Sequence, residues 1–192
     1  MNISEVCGYL AGIIFALSAG WYAWDVARRK VTASVATFFI FSLINASLLV
    51  SLISKQVWSV IPFTVVGLIS SVLICGFALR NKKVYFELPD KIGLAGAIIG
   101  FILWLFTKDP AVNVYVISLV NLIAFAPLII KSFKQPNLET NLPWQINLLA
   151  STFLLLSVNS LSAVVWVVLV RQFVCSLLLN IGLYRGKANS SL

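Results

Sequence analysis

Seven apolar runs with very little chain between them constrain this sequence more than any other feature. They cover residues 6–24, 35–53, 57–79, 92–106, 112–130, 142–158 and 161–184. A hydrocarbon layer about 30 Å thick is crossed by about 20 apolar residues of helix. Backbone exposed to lipid must satisfy its own hydrogen bonds, which leaves helices or closed barrels. A barrel would show segments of about 10 residues with alternating polarity, and the chain has none. The expected fold is therefore all-α: a polytopic membrane protein of seven transmembrane helices with short connections. The fourth run is the shortest, and the break between the sixth and seventh rests on Val158-Asn159-Ser160 alone.

Composition agrees. Of 192 residues, 60% are apolar and 10% charged, where a soluble domain has about 45–50% and about 25%. The net charge of +8 would suggest nucleic acid in a soluble protein. Here the charges sit between apolar runs, so membrane orientation explains them and no nucleic-acid partner is expected. Arg28, Arg29, Lys30, Arg80, Lys82, Lys83, Lys91, Lys131, Lys134, Arg185 and Lys187 all fall on one side if the N-terminus is outside. The opposite loops hold only Lys55 and Lys108. This split predicts seven spans, an external N-terminus and a cytoplasmic C-terminus, and the scarcity of loops points to a bacterial-type inner membrane or an organellar one. The first run has no basic segment before it, so it reads as a retained helix and not a cleaved leader. Cys7, Cys75 and Cys175 are far apart, which indicates neither a disulfide framework nor a zinc site.

A shift of 106 residues lays the first three runs on the last three without a gap. Tyr9 then falls on Tyr115, Leu48 on Leu154, Leu49 on Leu155, Ser51 on Ser157, Ser54 on Ser160, Ser70 on Ser176 and Gly76 on Gly182. Each triplet carries a basic segment after its first and third helix. Two triplets separated by one helix have the same orientation, which is a parallel repeat of the kind transporters use. The expected organisation is a first three-helix repeat over 1–84, a linker helix over 85–110 and a second repeat over 111–192. That is two parallel three-helix bundles in a 3-1-3 layout.

Some residues reinforce this layout: Gly8-Tyr9-Leu10-Ala11-Gly12 opening the first run, Arg28-Arg29-Lys30 and Thr32-Ala33-Ser34 leading into the second, and Pro127 and Pro143 in the second repeat. In these respects the chain resembles the SWEET and PQ-loop superfamily of membrane transporters. The proline-glutamine pair is absent; its places hold Gly20-Trp21 and Pro127-Leu128. The nicotinamide riboside transporters share the architecture, and Trp21-Tyr22-Ala23-Trp24 is similar to their tryptophan pairs. The resemblance implies a midplane pocket with Asn on the third and seventh helices and aromatics on the second and sixth. Asn180 fits the seventh helix and Trp144 the sixth, while the third-helix equivalent is the apolar Ile74.

Arg171, followed by Gln172, is the sharpest single feature. It lies about 15 Å deep, ten residues into the seventh run at 1.5 Å per residue. An arginine at that depth costs at least about 2.5–3.5 kcal/mol. It must either cap polar groups within the bundle or face a cavity and an anionic solute. Asn121 and Asn147, with Asn45 and Asn180, are amides in apolar helices. They serve either as interhelical hydrogen bonds or as pocket lining. Gly8, Gly12, Ala16 and Gly20 form a small-residue stripe on the first helix, and Gly96 and Gly100 do so on the fourth. Most tryptophans sit near run ends, as an interfacial belt would have them. Trp166 is internal and reads as a pocket candidate. Pro62 and Pro127 are candidate kinks for gating.

An enzyme is poorly supported. Catalysis needs paired acids, a metal helix or a nucleophile with its base, and the chain has no His. No catalytic residue, metal or cofactor is assigned. The expected function is facilitated diffusion of a small polar, anionic solute by alternating access, with Arg171, Gln172, Asn180, Trp166, Asn121 and Asn147 binding it. The absence of His and of acids inside the runs argues against proton coupling. The alternative is a non-transporting receptor, scaffold or assembly subunit with a dry interior. The expected partners are the lipid bilayer and the solute, and the oligomeric state stays open, a homo-oligomer included.

Overall fold

A computed structural model describes residues 3–80, 91, 94–96, 98–99, 102, 106–107, 109–158 and 163–190. Every regular element among the described residues is helical. Six long helices organise the fold: α1 (Ile3–Ala27), α2 (Val35–Ser54), α3 (Ile61–Leu79), α4 (Pro110–Lys134), α5 (Asn141–Leu156) and α6 (Ala163–Ser190). Five of them, all but α5, are long and apolar enough to cross a membrane. The described residues of the fourth run are helical as well. The 158–160 break lies mostly outside the described residues; α5 ends at Leu156 and α6 begins at Ala163.

Helix limits follow from local chemistry. Ser34 caps α2 by accepting from the Thr37 N–H at 3.2 Å, and Asp109 caps α4 by accepting from Ala111 N–H at 2.8 Å. Side-chain oxygens in that position satisfy a donor that the first turn leaves without a partner. Both α1 and α2 end in left-handed residues, Arg29 at φ 60° and Gln56 at φ 55°. The following amides, Lys30 N–H to Asp25 O at 2.9 Å and Val57 N–H to Leu52 O at 3.0 Å, close six-residue loops at the helix ends. This is the Schellman geometry, built here without glycine. It reverses the chain within a few residues and sets α2 antiparallel to α1 and α3 antiparallel to α2.

Pro62 was expected to kink the third helix. It lies instead in the first turn of α3, after a 3₁₀ turn over Trp58–Val60. A first-turn amide has no helical acceptor, so proline there costs nothing and bends nothing. Pro127 does lie inside α4.

The helices pack in a closed ring. α3 packs against both α1 and α2, and α6 against both α4 and α5. The ring closes where α1 meets α5 and α2 meets α4. Contacts fix the directions. Gly8 lies on the Ser59 carbonyl and Gly12 on Pro62, so α1 and α3 run parallel. Gly182 lies on Ser132 and Phe133, so α4 and α6 run parallel. Asn147 donates to Ser176 Oγ at 3.2 Å and Asn180 to the Trp144 carbonyl at 2.9 Å, so α5 and α6 run antiparallel. The first Gly stripe is only half a packing seam: Gly8 and Gly12 are buried, while Ala16 and Gly20 face outward. Positions four apart drift by about 40° per step on a helix of 3.6 residues per turn, so the stripe winds off the contact.

The surface is apolar and the interior holds the polar groups. Ile13, Leu17, Trp21, Ile69, Leu119 and Leu149 are each at least half exposed, whereas Ser18, Asn113, Asn121, Asn147, Ser151, Ser176, Arg171 and Gln172 are buried. Water would oppose this distribution and lipid favours it. The chain is accordingly an integral, multi-pass helical membrane protein. Arg28, Arg29, Lys30, Arg80, Lys131, Lys134 and Arg185 gather at one end of the ring, here called the basic end, while Lys55 pairs with Asp109 at the other, at 3.9 Å.

Candidate functional site

All six helices border one central cavity of about 820 Å³, its opening included. Its middle is polar. Arg171 and Gln172 reach it from α6, Asn147 from α5, Asn121 from α4, Asn45 from α2 and Ser18 from α1. Four of the residues singled out in the sequence, Arg171, Gln172, Asn121 and Asn147, therefore meet at one place.

Arg171 is 8% exposed, and its Nε and Nη1 have no hydrogen-bond partner among the described residues. Among those residues no carboxylate pairs with it, and no Asp or Glu lines the cavity. A buried guanidinium with unmade donors is costly, and the Arg171 side chain borders the cavity. The side-chain oxygens of Asn121 and Asn147 are buried and unpartnered too. Most polar groups on the α1–α3 side bond protein, the buried Tyr22 hydroxyl being without a partner among the described residues. Thr64 donates to Val60 O, Ser71 to Gly67 O, Asn45 to Phe41 O and Ser18 to Pro143 O, at 3.1, 2.7, 2.8 and 2.6 Å.

Aromatic layers bracket this polar belt. Phe15 of α1 stacks on Phe63 of α3 with centroids 4.2 Å apart. Toward the basic end, Tyr22 meets Trp144 edge-on at 5.2 Å and Phe41 meets Phe125 at 4.8 Å. These latter pairs join α1 to α5 and α2 to α4, so side chains from both sides of the ring close that end.

Beyond the aromatics lies a buried ion pair. Lys131 Nζ donates to Glu139 Oε1 at 2.7 Å and to the Thr32 carbonyl at 3.0 Å. Trp144 Nε1 donates to Glu139 Oε2 at 3.5 Å. The Glu139 side chain is 1% exposed. Burial pushes its carboxyl above the usual carboxylate range, and Lys131 and then Trp144 only partly counter this. Asp25, also buried, lies 4.0 Å from Lys30. Lys131 thus ties the α1–α2 connection to the α4–α5 connection. At the other end Asn113 Nδ2 donates to Ser51 Oγ at 2.7 Å and Ser47 Oγ at 2.9 Å, tying α4 to α2.

Three expected site residues lie elsewhere. Trp166 is 39% exposed on the outer face of α6 and does not border the cavity. It is five residues from Arg171, roughly 140° around the helix. Asn180 donates to the Trp144 and Ser176 carbonyls at 2.9 and 2.8 Å, which makes it an α5–α6 tie away from the cavity wall. It is nine residues from Arg171, about half a turn out of phase. Pro127 does not border the cavity either. Conversely, Tyr22, Ser18, Lys131, Glu139 and Asn113 carry contacts that the sequence reading passed over. Lys131 and Glu139 read as ordinary loop charges; the one signal was an acid set directly before the apolar sixth run.

Among the described residues no cluster of His, Cys, Asp and Glu could hold a metal ion. No family model, curated protein or solved structure matches the chain.

Proposed function

We propose that this chain is a membrane transporter that moves a small, negatively charged polar solute by facilitated diffusion. The observation that carries the reading is Arg171: a deeply buried cation with two unpartnered nitrogens beside a cavity that all six helices border. A packed, non-transporting scaffold has no use for such a group, because its burial would cost stability with nothing gained.

The helix arrangement supports alternating access. In each triplet, α1–α3 and α4–α6, the third helix packs on the other two. The contacts between triplets, α1 with α5 and α2 with α4, exchange under a twofold axis along the membrane normal. We read these as the repeats of 1–84 and 111–192, joined by 85–110 as a linker helix, in the 3-1-3 manner of SWEET-like proteins. Rocking one triplet against the other would open each end in turn around a fixed midplane site. The basic end faces the cytoplasm in this reading and the N-terminus faces outside. Among the described residues no carboxylate lines the cavity, so in this reading transport follows the solute gradient alone.

Purified protein in vesicles tests the proposal through uptake of a panel of labelled anions, vitamins and sugars. The expected result is saturable uptake of an anion, without dependence on an imposed proton gradient. Folded protein that takes up none of the panel returns the chain to the receptor or scaffold class. Cysteine labelling that finds both chain ends in one compartment removes the repeat.

A further inference from the structure

The cavity is two-sided, and its two sides ask for different chemistry. On the α4–α6 side are one cation and two buried amide oxygens, all with unmade hydrogen bonds: Arg171, Asn121 and Asn147. On the α1–α3 side Ser18, Asn45, Thr64 and Ser71 already donate to backbone carbonyls, the Tyr22 hydroxyl alone is buried without a partner among the described residues, and the rest of that wall is mainly aromatic: Phe15, Phe38, Phe41 and Phe63.

Resting on the transport reading, we infer that the cavity takes an amphipathic monocarboxylate, its carboxylate on Arg171, a hydrogen-bond donor on the Asn121 and Asn147 oxygens, and a flat apolar body against the phenylalanines. Each part has a reason. A single cation with no acid among the lining residues balances one negative charge; a second would stay buried and uncompensated. A guanidinium donates to a planar carboxylate in matched geometry. The free amide oxygens accept only, so the ligand must bring an O–H or N–H. A polyol fits poorly, because its remaining hydroxyls would be desolvated against rings that offer no partner.

4-Hydroxybenzoate is the probe that carries all three groups. Benzoate lacks the donor, phenol the carboxylate and acetate the ring. Equilibrium binding to the full-length purified chain compares the four, with glucose as the polyol. The expected order is 4-hydroxybenzoate, then benzoate, then phenol and acetate, with each lost group weakening binding by about tenfold or more. In Arg171→Leu, 4-hydroxybenzoate falls to the level of phenol while phenol itself is unchanged. Arg171→Gln serves as the second variant should the first not fold. In Asn147→Leu the gap between 4-hydroxybenzoate and benzoate narrows, and with Asn121→Leu added the two become equal.

Acetate or glucose binding as tightly as 4-hydroxybenzoate overturns the assignment, as does the absence of any binding to folded protein. The two readings fail separately. Binding of 4-hydroxybenzoate without uptake into vesicles sinks transport and leaves the ligand class. Saturable uptake of a sugar without aromatic acid binding sinks the ligand class and leaves transport.

Discussion

Replacing Arg171 by leucine is expected to make the protein more stable and inactive at once. In the empty protein the guanidinium is 8% exposed and two of its nitrogens lack partners. Each unmade buried donor costs about 1–3 kcal/mol. Insertion scales place the cost of an arginine at mid-membrane at about 2.5–3.5 kcal/mol. Leucine keeps most of the apolar stem and removes the charge. The net gain is about 2 kcal/mol, or a rise in melting temperature of roughly 4–8 °C for a chain of this length. Melting is followed in detergent by light scattering or intrinsic fluorescence, and activity by uptake in vesicles. A functional residue that costs stability shows this opposition; a structural one does not. If Arg171→Leu melts several degrees lower, the side chain has partners that hold the bundle together. If it melts higher but still transports, the cavity is real and Arg171 is not its anchor. Either result refutes the reasoning.

Other substitutions separate packing from function. Gly8→Ala drives a methyl into the Ser59 carbonyl, whereas at Gly20 a methyl meets nothing within 4 Å. The first should lower stability by about 1–3 kcal/mol and the second raise it by about 0.5–1 kcal/mol; equal melting temperatures would contradict the α1–α3 contact. Asn113→Ala removes the bonds to Ser47 and Ser51 that tie α2 to α4, at a cost of about 1–2 kcal/mol in thermal or urea melting. The Glu139 carboxyl is raised by burial more than Lys131 lowers it, so the folded state holds its proton more tightly than the unfolded chain does. Its contribution to stability is therefore full below the ordinary value of 4.5 and is lost as pH rises through the raised one. The melting temperature should climb on acidification from neutral pH toward 4.5, and Glu139→Gln should flatten that slope; a melting temperature that falls over the same range in the unsubstituted protein would show that the ion pair, and not burial, governs the group.

What could be read in the sequence, and what could not, divides along one physical line. The burial of Arg171 was legible because the bilayer imposes a length scale: a charge ten residues inside an apolar run has to be sheltered from lipid. The same logic predicted seven crossings, and five of the helices are long and apolar enough to make one. The azimuth of a side chain has no such ruler when a helix is apolar all round. Trp166 and Asn180 share the seventh run with Arg171, yet they point away from the cavity by 39% exposure in one case and by bonds to Trp144 and Ser176 in the other. Nothing in a uniformly apolar helix says which face meets its neighbours. Pro62 shows the same blindness along the axis, since a shift of four residues in the start of α3 turns a kink into a harmless first-turn proline. Glu139 was missed for a different reason. Orientation rules treat connections as water-exposed charge, and most here are. A connection folded back under Trp144 and Lys131 breaks that premise, and it does so where the two halves of the ring must part if the basic end is ever to open. The residues that border the cavity lie within the helices, and the Lys131–Glu139 pair lies at their ends, so a search confined to the apolar runs finds only the first.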